Sequence, residues 1–270
     1  MINQIVGNAP IYFLVAVRCF AMIMTLPFFS IRTVPRIAKV ALAGYMAFII
    51  FPHVDFSAYM KYVSSDGSFT VEYILLLIGE GLIGVLFGFY VSIIFGAFST
   101  AGQFFAFQMG FSASEVYDAL SQVENPLMGQ YFNLIAMLIF LQNHWAQILF
   151  TKALVAGFDS LNAISFIQNQ EMIVKFLLSG LTKLFASAFV IALPIMGTLL
   201  LISVAMGILS KAAPQMNLMS EGFPIMILTT FFVITAIMPQ LCEFFIHSFA
   251  NGFKALEIIL GKIALAKGGV

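Results

Sequence analysis

Two apolar segments constrain this chain more than any other feature. Residues 71–107 and 172–209 each continue for close to forty residues with two charged residues apiece. About twenty apolar residues already span the hydrocarbon core of a bilayer. The whole chain is 61% hydrophobic and 9% charged, with a mean hydropathy of +1.04, whereas about a quarter of the residues in a soluble protein are charged. The sequence therefore predicts an integral membrane protein.

Apolar runs along the chain predict its helices: 10–31, 37–54, 71–107, 131–150, 172–209 and 223–249. We expect an all-α membrane protein of about six long, kinked helices and hairpins, forming a single domain over residues 1–270. Either long run would reach about 55 Å as one helix, against a hydrocarbon core of about 30 Å. Each must tilt, project beyond the bilayer or break, and Pro194 with Gly197 offers a break in the second.

The polar connections predict no further domain and no catalytic centre. They cover 55–70, 108–130, 151–171 and 210–222, and all are short. The N-terminus has neither a basic region nor a clean cleavage site, so we expect an uncleaved first helix. Lysine and arginine divide five to four between the two sides of a six-crossing arrangement, which leaves orientation open. Without metal-ligand spacing, a phosphate loop or a catalytic set, we expect no enzyme activity, cofactor, metal or nucleic acid.

A stripe of small residues predicts close helix packing. Its members recur at every fourth position, with a second set on a nearby face: Gly84, Gly88, Ser92, Gly96 and Thr100, then Gly102, Ala106 and Gly110. Such spacing lets helix backbones approach closely. Glu80 lies one step earlier, and a carboxylate there faces protein or water because facing lipid is costly. A structural carboxylate satisfied by a neighbouring helix is favoured over a proton relay. Lys183, in the fifth run, is expected to snorkel to the interface or to pair within the assembly. Arg18, in the first run, is similar, and the sequence does not name its partner.

Residues 107–126 contain three acids, no bases and several bulky apolar side chains. One interpretation is an exposed amphipathic loop, which the residues alone favour. The other is a segment folded back into a cavity, since channels can close by hydrophobic constriction. Its candidate gate residues are Phe107, Gln108, Met109, Gly110, Phe111, Glu115, Tyr117 and Asp118. His144, beside Trp145, is interpreted as a helix end at the membrane interface rather than a pH switch.

Residues 210–224 place polar and turn-forming residues between two apolar runs. Irregular backbone in lipid must be covered by protein or line a wet cavity. Pro214 and Pro224 are expected to prevent one continuous helix across this stretch. From the residues alone the segment is a polar break between two apolar runs, and an ordinary turn outside the membrane would account for it.

An ordered set of residues resembles the FliR family of flagellar export-gate proteins and their injectisome counterparts. The set comprises Arg18, Pro27, Pro35-Arg36, Glu80 with Gly84 and Gly88, Gln108-Met109-Gly110, His144, the Lys-Ala-Ala-Pro-Gln-Met-Asn motif at 211–217, and Gly-Phe-Pro at 222–224. The resemblance extends over residues 5–260. Lys211 stands where the family more often has arginine, which removes a bidentate donor. Met219 stands near a common aromatic position.

The resemblance implies a core subunit of the flagellar type III protein export gate, in the bacterial inner membrane at the flagellar basal body. One FliR-like chain would form a closed ring with FliP and FliQ, through which unfolded substrates pass, with FlhB and FlhA nearby. The segment after Gln108-Met109-Gly110 would plug the pore. Lys211, Pro214, Gln215 and Asn217 would then be entrance-side contacts near FliQ and FlhB.

Three alternatives remain beside this reading. An injectisome homologue would secrete effectors. A secondary transporter or ion channel would use Pro194 as a helix break and Glu80 as a coupling site. A membrane enzyme acting on lipids is the weakest of the three, because no polar catalytic set is present.

Overall fold

The computed structural model describes residues 8–30, 34–54, 57, 59–60, 62, 70–110, 127–213 and 218–268. Regular structure within these residues is entirely helical. The prediction of an all-α membrane protein is therefore confirmed.

The helices follow the apolar runs but differ from them at several ends. The first half of the chain holds α1 (Ala9–Thr25), α2 (Pro27–Ser30), α3 (Arg36–Ile50) with a 3-10 turn at Phe51–His53, and α4 (Val71–Gln108). The second half holds α5 (Leu127–Gln142), α6 (Trp145–Ile148), a π-helical turn at Leu149–Ala153, α7 (Leu154–Ser160), α8 (Ala163–Gln168), α9 (Gln170–Ala212) and α10 (Leu218–Gly268).

Three helices among the described residues are long and apolar enough to cross a membrane: Val71–Gln108, Gln170–Ala212 and Glu221–Leu265. The pair Leu127–Gln142 and Trp145–Ser160, bent by 69°, would be a fourth if it is one span. The helix α9 continues for 43 residues through Pro194, so of the three alternatives for this run the break at Pro194 and Gly197 is wrong. An interior proline loses one backbone hydrogen bond, and membrane helices tolerate that loss where local adjustments satisfy the freed group.

Two other expectations about chain breaks are also wrong. Pro224 lies inside α10, which begins at Leu218, so the expectation that Pro224 prevents a continuous helix is wrong. Pro214, the other proline expected to do so, lies outside the described residues. The stretch 151–171, expected as a polar connection, is largely helical. It is helical because one side of it is apolar and packed, with Leu154, Gly157 and Phe158 buried.

The chain divides into two compact units. The first comprises Met1–Ile93, Leu141–Gly180 and Ala250–Val270. Its core includes a cluster of buried side chains: Leu14, Tyr59, Tyr73, Leu76 and Ala163. In the same unit α1 packs against α3, where the Tyr12 hydroxyl donates to the Gly44 carbonyl at 2.8 Å. The helix α1 therefore packs against α3 and contributes Leu14 to the buried cluster.

The second unit comprises Ile94–Phe140 and Leu181–Phe249. Phenylalanine rings form its centre, with centroids 4.0 Å apart for Phe98 and Phe245 and 4.9 Å apart for Phe95 and Phe249. Phe140 joins the same cluster, 5.2 Å from Phe249. Rings at such separations add attraction beyond their burial. The single domain expected over the whole chain stays a prediction.

Candidate functional site

The first unit holds a fully buried ion pair between α1 and α4. The Arg18 and Glu80 side chains have no exposed surface, and Arg18 Nε donates to Glu80 Oε2 at 2.6 Å. Arg18 Nη2 donates to the Leu161 carbonyl at 2.7 Å, and the guanidinium lies 3.7 Å from the centre of the Phe158 ring. Glu80 is thus the partner of Arg18 that the sequence did not name.

The second oxygen of Glu80 binds two further donors. Its Oε1 accepts from the Tyr59 hydroxyl at 2.6 Å and from the Ala163 backbone N–H at 3.2 Å. Burial raises the pKa of the Tyr59 hydroxyl above its usual value, and the Glu80 charge raises it further. The hydroxyl therefore stays protonated and keeps donating. With protein donors on both oxygens, Glu80 suits the structural reading better than a proton relay.

This cluster holds the junction between α7 and α8 in place. Leu161 and Ala163, which contact Arg18 and Glu80, flank Asn162. The Asn162 side chain accepts from the Ser165 N–H at 2.8 Å, while Ser165 Oγ accepts from the Asn162 N–H at 2.9 Å. This reciprocal pair is a capping box, which satisfies free donors at a helix start. Arg18 Nη1 is buried without a hydrogen-bond partner.

The first part of the small-residue stripe lies against the backbone of α1. A Cβ on Gly84 would overlap the Arg18 carbonyl oxygen, and one on Gly88 would overlap Thr25 Oγ1 and lie 2.8 Å from the Met22 oxygen. Ser92 Oγ donates to the Thr25 carbonyl at 2.7 Å. These positions require small residues because helix backbones meet there.

Two further stripe residues, Gly96 and Gly102, lie close to other helices within the second unit. A Cβ on Gly102 would lie 2.6 Å from the Met128 carbonyl, at the start of α5, and one on Gly129 would lie 3.0 Å from the Ser99 oxygen. A Cβ on Gly96 would lie 3.0 Å from Leu184 Cδ1. The stripe therefore serves more than one close helix contact along α4.

The gate candidates begin where α4 ends. Phe107 is 77% exposed, Met109 is fully buried, and Gly110 has φ = +84°. A glycine in the left-handed region is a common end to a helix. The Phe223 ring packs on Gly110, where a Cβ would overlap two of its carbons. Phe111, Glu115, Tyr117 and Asp118 lie outside the described residues.

The structure describes one of the four entrance-side candidates, Lys211. Lys211 is exposed in the last turn of α9, where a cation suits the helix dipole. Pro214, Gln215 and Asn217 lie outside the described residues. His144 separates α5 from α6 with φ = +56°, so its position at a helix end is as expected.

The sequence did not predict which residues complete the cluster around Arg18 and Glu80. It also did not predict the contact between Gly110 and Phe223. Tyr59, Phe158 and Leu161 carry no motif that would link them to Arg18. Asn162 and Ser165 did carry a signal, the spacing of a capping box. Among the described residues no group of three or more His, Cys, Asp or Glu side chains could hold a metal ion.

Comparison with known proteins places this arrangement in a family. Residues 9–252 match the family described as Bacterial export proteins, family 1. The chain belongs to this family. It is 28% identical over 266 residues to the flagellar biosynthetic protein FliR of Bacillus subtilis (strain 168), covering 98% of this chain and 100% of that protein. The FliR of Escherichia coli (strain K12) is also 28% identical, over 255 residues and 94% of each chain.

An injectisome counterpart also matches this export protein. The surface presentation of antigens protein SpaR of Shigella sonnei is 28% identical over 197 residues, covering 73% of this chain and 72% of that protein. The resemblance to the FliR family is thereby confirmed. The chain is therefore a membrane protein of a bacterial export family, similar over nearly its whole length to the flagellar biosynthetic protein FliR.

Proposed function

We propose that this chain is the core FliR-type subunit of the flagellar export gate, present once in a closed ring with FliP and FliQ. Unfolded flagellar proteins would cross the bacterial inner membrane through that ring, with FlhA and FlhB nearby. The chain would act as a channel subunit and not as an enzyme. The proposal is carried by the match to FliR relatives over nearly the whole chain.

The burial of the long helices supports assembly with other chains. In the most apolar stretch of α4, 50% is buried within the chain. The corresponding stretches of α9 and α10 are only 22% and 17% buried. Their apolar faces must therefore be covered by lipid or by other proteins. Lys183 is exposed on α9, and a lysine facing lipid is costly unless it reaches the interface or a polar partner. Protein neighbours on part of this surface would lower that cost.

The end of α4 supports a pore segment after Gly110. Gly110, in the left-handed region, follows the end of α4 at Gln108, as glycine commonly does at a helix end. The acidic segment with bulky apolar residues comes next in the sequence. Apolar side chains in a pore can exclude water and ions. We propose that residues 107–126 close the gate in this way.

Purification tests the subunit proposal directly. The tagged chain, extracted from its host in mild detergent, should bring down FliP and FliQ, and mass analysis should give one copy of the chain per complex. The chain recovered alone, or transport by the chain alone in liposomes that Glu80→Gln abolishes, would contradict the proposal and favour the transporter alternative.

A deletion tests the pore segment. Replacing 109–124 with a shorter Gly-Ser linker should let small solutes or ions leak through the assembled gate. The matched control is a Gly-Ser linker of the original length, which separates the loss of side chains from the shortening. Unchanged permeability in both variants would identify the segment as an external loop.

The SpaR match favours one second candidate, an injectisome subunit. That match covers 73% of the chain, less than the two FliR matches cover. Deleting the gene in the native host distinguishes the two uses. Loss of swimming with normal effector secretion is expected, and the reverse result would assign the chain to an injectisome.

A further inference from the structure

We propose that a groove in the first unit binds one phospholipid whose headgroup carries both a phosphate and a primary ammonium. The groove lies between the α6–α7 stretch and the last part of α10, and its volume is about 450 Å³. Natural ligand pockets cover about 300–1,000 Å³ and are mostly apolar with a few polar groups. We call this cavity the α7–α10 groove. A lipid site there is independent of the proposed export function.

The walls of the α7–α10 groove have this composition. Three polar side chains line it, Lys152, Ser160 and Glu257, and the other lining residues are apolar or glycine. Leu256 and Leu260 give the α10 side its apolar surface. An amphipathic ligand matches such a groove better than a polar metabolite does, because most of the wall offers no hydrogen bond.

A π-helical turn forms part of one wall. The turn covers Leu149–Ala153, and both Lys152 and Ala153 line the groove. The Thr151 hydroxyl donates to the Gln147 carbonyl at 2.7 Å beside this turn. Single π-helical turns are rare, and they are frequent at functional sites. The irregular turn thus lies in the wall of the groove and contributes its basic side chain.

Two opposite charges on the walls point to the chemistry of the headgroup. Lys152 and Glu257 are both exposed, and neither forms an ion pair with another described residue. A phosphate suits the lysine, and a primary ammonium suits the carboxylate, because hydrogen bonds between charged groups are the stronger ones. An anionic phospholipid without an amine would satisfy the lysine alone and bring a second negative charge towards Glu257. The pair of charges therefore favours an ethanolamine headgroup.

The groove lies where headgroups are expected. The Trp145 ring is 6.4 Å from the ring of Phe253, which lines the groove. Tryptophan is enriched at the membrane–water interface. The α10 wall also lies near one end of the candidate span Glu221–Leu265 and not at its middle. Charged side chains at this depth can meet a headgroup while the apolar wall holds an acyl chain.

The size of the groove favours an acyl chain over a helix of another protein. Its α6–α7 wall runs from Ile148 to Ser160, which is about 18 Å at a rise of 1.5 Å per residue. Over that length the volume leaves a cross-section of roughly 25 Å². A helix with its side chains is about 10–12 Å wide and would need about four times that area. A single hydrocarbon chain, with carbon contacts of about 3.5–4.0 Å, fits.

The one tryptophan of the chain, Trp145, provides the assay. The full chain is placed in phosphatidylcholine vesicles that contain either brominated phosphatidylethanolamine or brominated phosphatidylglycerol. Bromine quenches tryptophan fluorescence at short range, so a lipid held in the groove quenches Trp145. The ethanolamine lipid should reach half-maximal quenching at a mole fraction about two- to fivefold lower, the range that an exposed ion pair supports. Equal quenching by the two lipids would overturn the proposal.

Neutral substitutions assign the two charges. Glu257→Gln should abolish the preference for the ethanolamine lipid, because only that headgroup presents an ammonium. Lys152→Gln should weaken quenching by both lipids, because both carry the phosphate. The matched control is Lys262→Gln, which removes an exposed charge from α10 outside the groove lining and should change neither result. A control that behaves like Lys152→Gln would show general attraction to the charged surface and would refute a specific site.

Filling the groove tests the site in the vesicles and in the assembled complex. Ala156 lines the groove from an exposed position, and Ala156→Phe should remove the strong quenching by either lipid. Quenching that persists would place the lipid elsewhere and defeat the proposal. If Ala156→Phe does not fold, the exposed substitution Glu257→Gln still decides the headgroup. Native mass spectrometry of the complex from its host should find an ethanolamine phospholipid that Ala156→Phe removes. A complex without that lipid would show that a partner protein covers the groove, which would also overturn the proposal.

Discussion

Removing the Glu80 carboxylate should destabilise this protein severely. In Glu80→Leu the change deletes the acceptor of three hydrogen bonds, from Arg18 Nε, the Tyr59 hydroxyl and the Ala163 N–H. It also leaves the Arg18 charge buried without an opposite charge. Breaking a buried pair by removing one partner costs about 3–5 kcal/mol, and each orphaned donor adds about 1–3 kcal/mol. Because these terms overlap, we expect a loss of about 5 kcal/mol.

The double variant Arg18→Met/Glu80→Leu should lose less than Glu80→Leu alone. It removes the unpaired charge and restores apolar volume, and replacing a whole buried ion pair with apolar residues is often near neutral. The Tyr59 hydroxyl and the Ala163 N–H still lack their acceptor, so stability should not recover fully. We expect the double variant to regain about 2 kcal/mol or more.

Heating the purified complex in detergent and measuring the fraction that stays monodisperse by gel filtration checks both variants. About 1 kcal/mol corresponds to roughly 2–4 °C for a chain of this size class, so Glu80→Leu should lower the transition by about 10–20 °C. The control is Glu171→Leu, which breaks the exposed ion pair between Glu171 and Lys175 at 2.6 Å. Exposed pairs of this kind contribute little to stability. A transition for Glu80→Leu within 2 °C of the wild type, or a double variant less stable than Glu80→Leu, would refute the reasoning.

Three further changes test other contacts of the described helices. Gly88→Leu should block recovery of the complex, since its side chain would overlap Thr25, whereas Gly197→Leu, with open space around its Cβ, should not; equal yields would contradict this. Gly102→Ala should lower the thermal transition by several degrees, because the added Cβ would overlap the Met128 backbone. An unchanged transition would show that α5 can shift. Tyr59→Phe should lower the stability of the protein by about 1.5–3 kcal/mol, because it removes a hydrogen bond to a charged group. The same thermal measurement by gel filtration checks this loss. Because the pKa of Tyr59 is raised, its contribution to wild-type stability should be constant below pH 10.0 and be lost progressively above it, and Tyr59→Phe should remove that part of the pH dependence.

The helices were predictable because their signal is local. Apolar runs of membrane length and four-residue spacing of small residues are properties of neighbouring positions, and α4 confirms the first of them as Val71–Gln108. Proline was misleading for the same reason. Its local preference indicates a break at Pro194 or Pro224, but both lie within continuous helices, since a long helix retains its other hydrogen bonds when one is lost.

The candidate site was predictable only in parts. Glu80 and Arg18 were each recognised as costly charges in apolar runs, and a protein partner for Glu80 was expected. The identity of that partner could not be inferred from the sequence. The two residues are 62 positions apart, and the Leu161 carbonyl is 143 positions from Arg18. The sequence carried no hint that Phe158 would lie against the guanidinium.

The sequence by itself determined that this protein is helical, belongs in a membrane and resembles the FliR family, because hydropathy, spacing and ordered motifs are all read along the chain. The tertiary structure alone decided which charges meet, which helix each part of the glycine stripe contacts, and that Phe223 lies on Gly110. These contacts depend on how whole helices pack, and an unpaired buried charge or a Cβ in the wrong place is penalised only once distant backbones have come together.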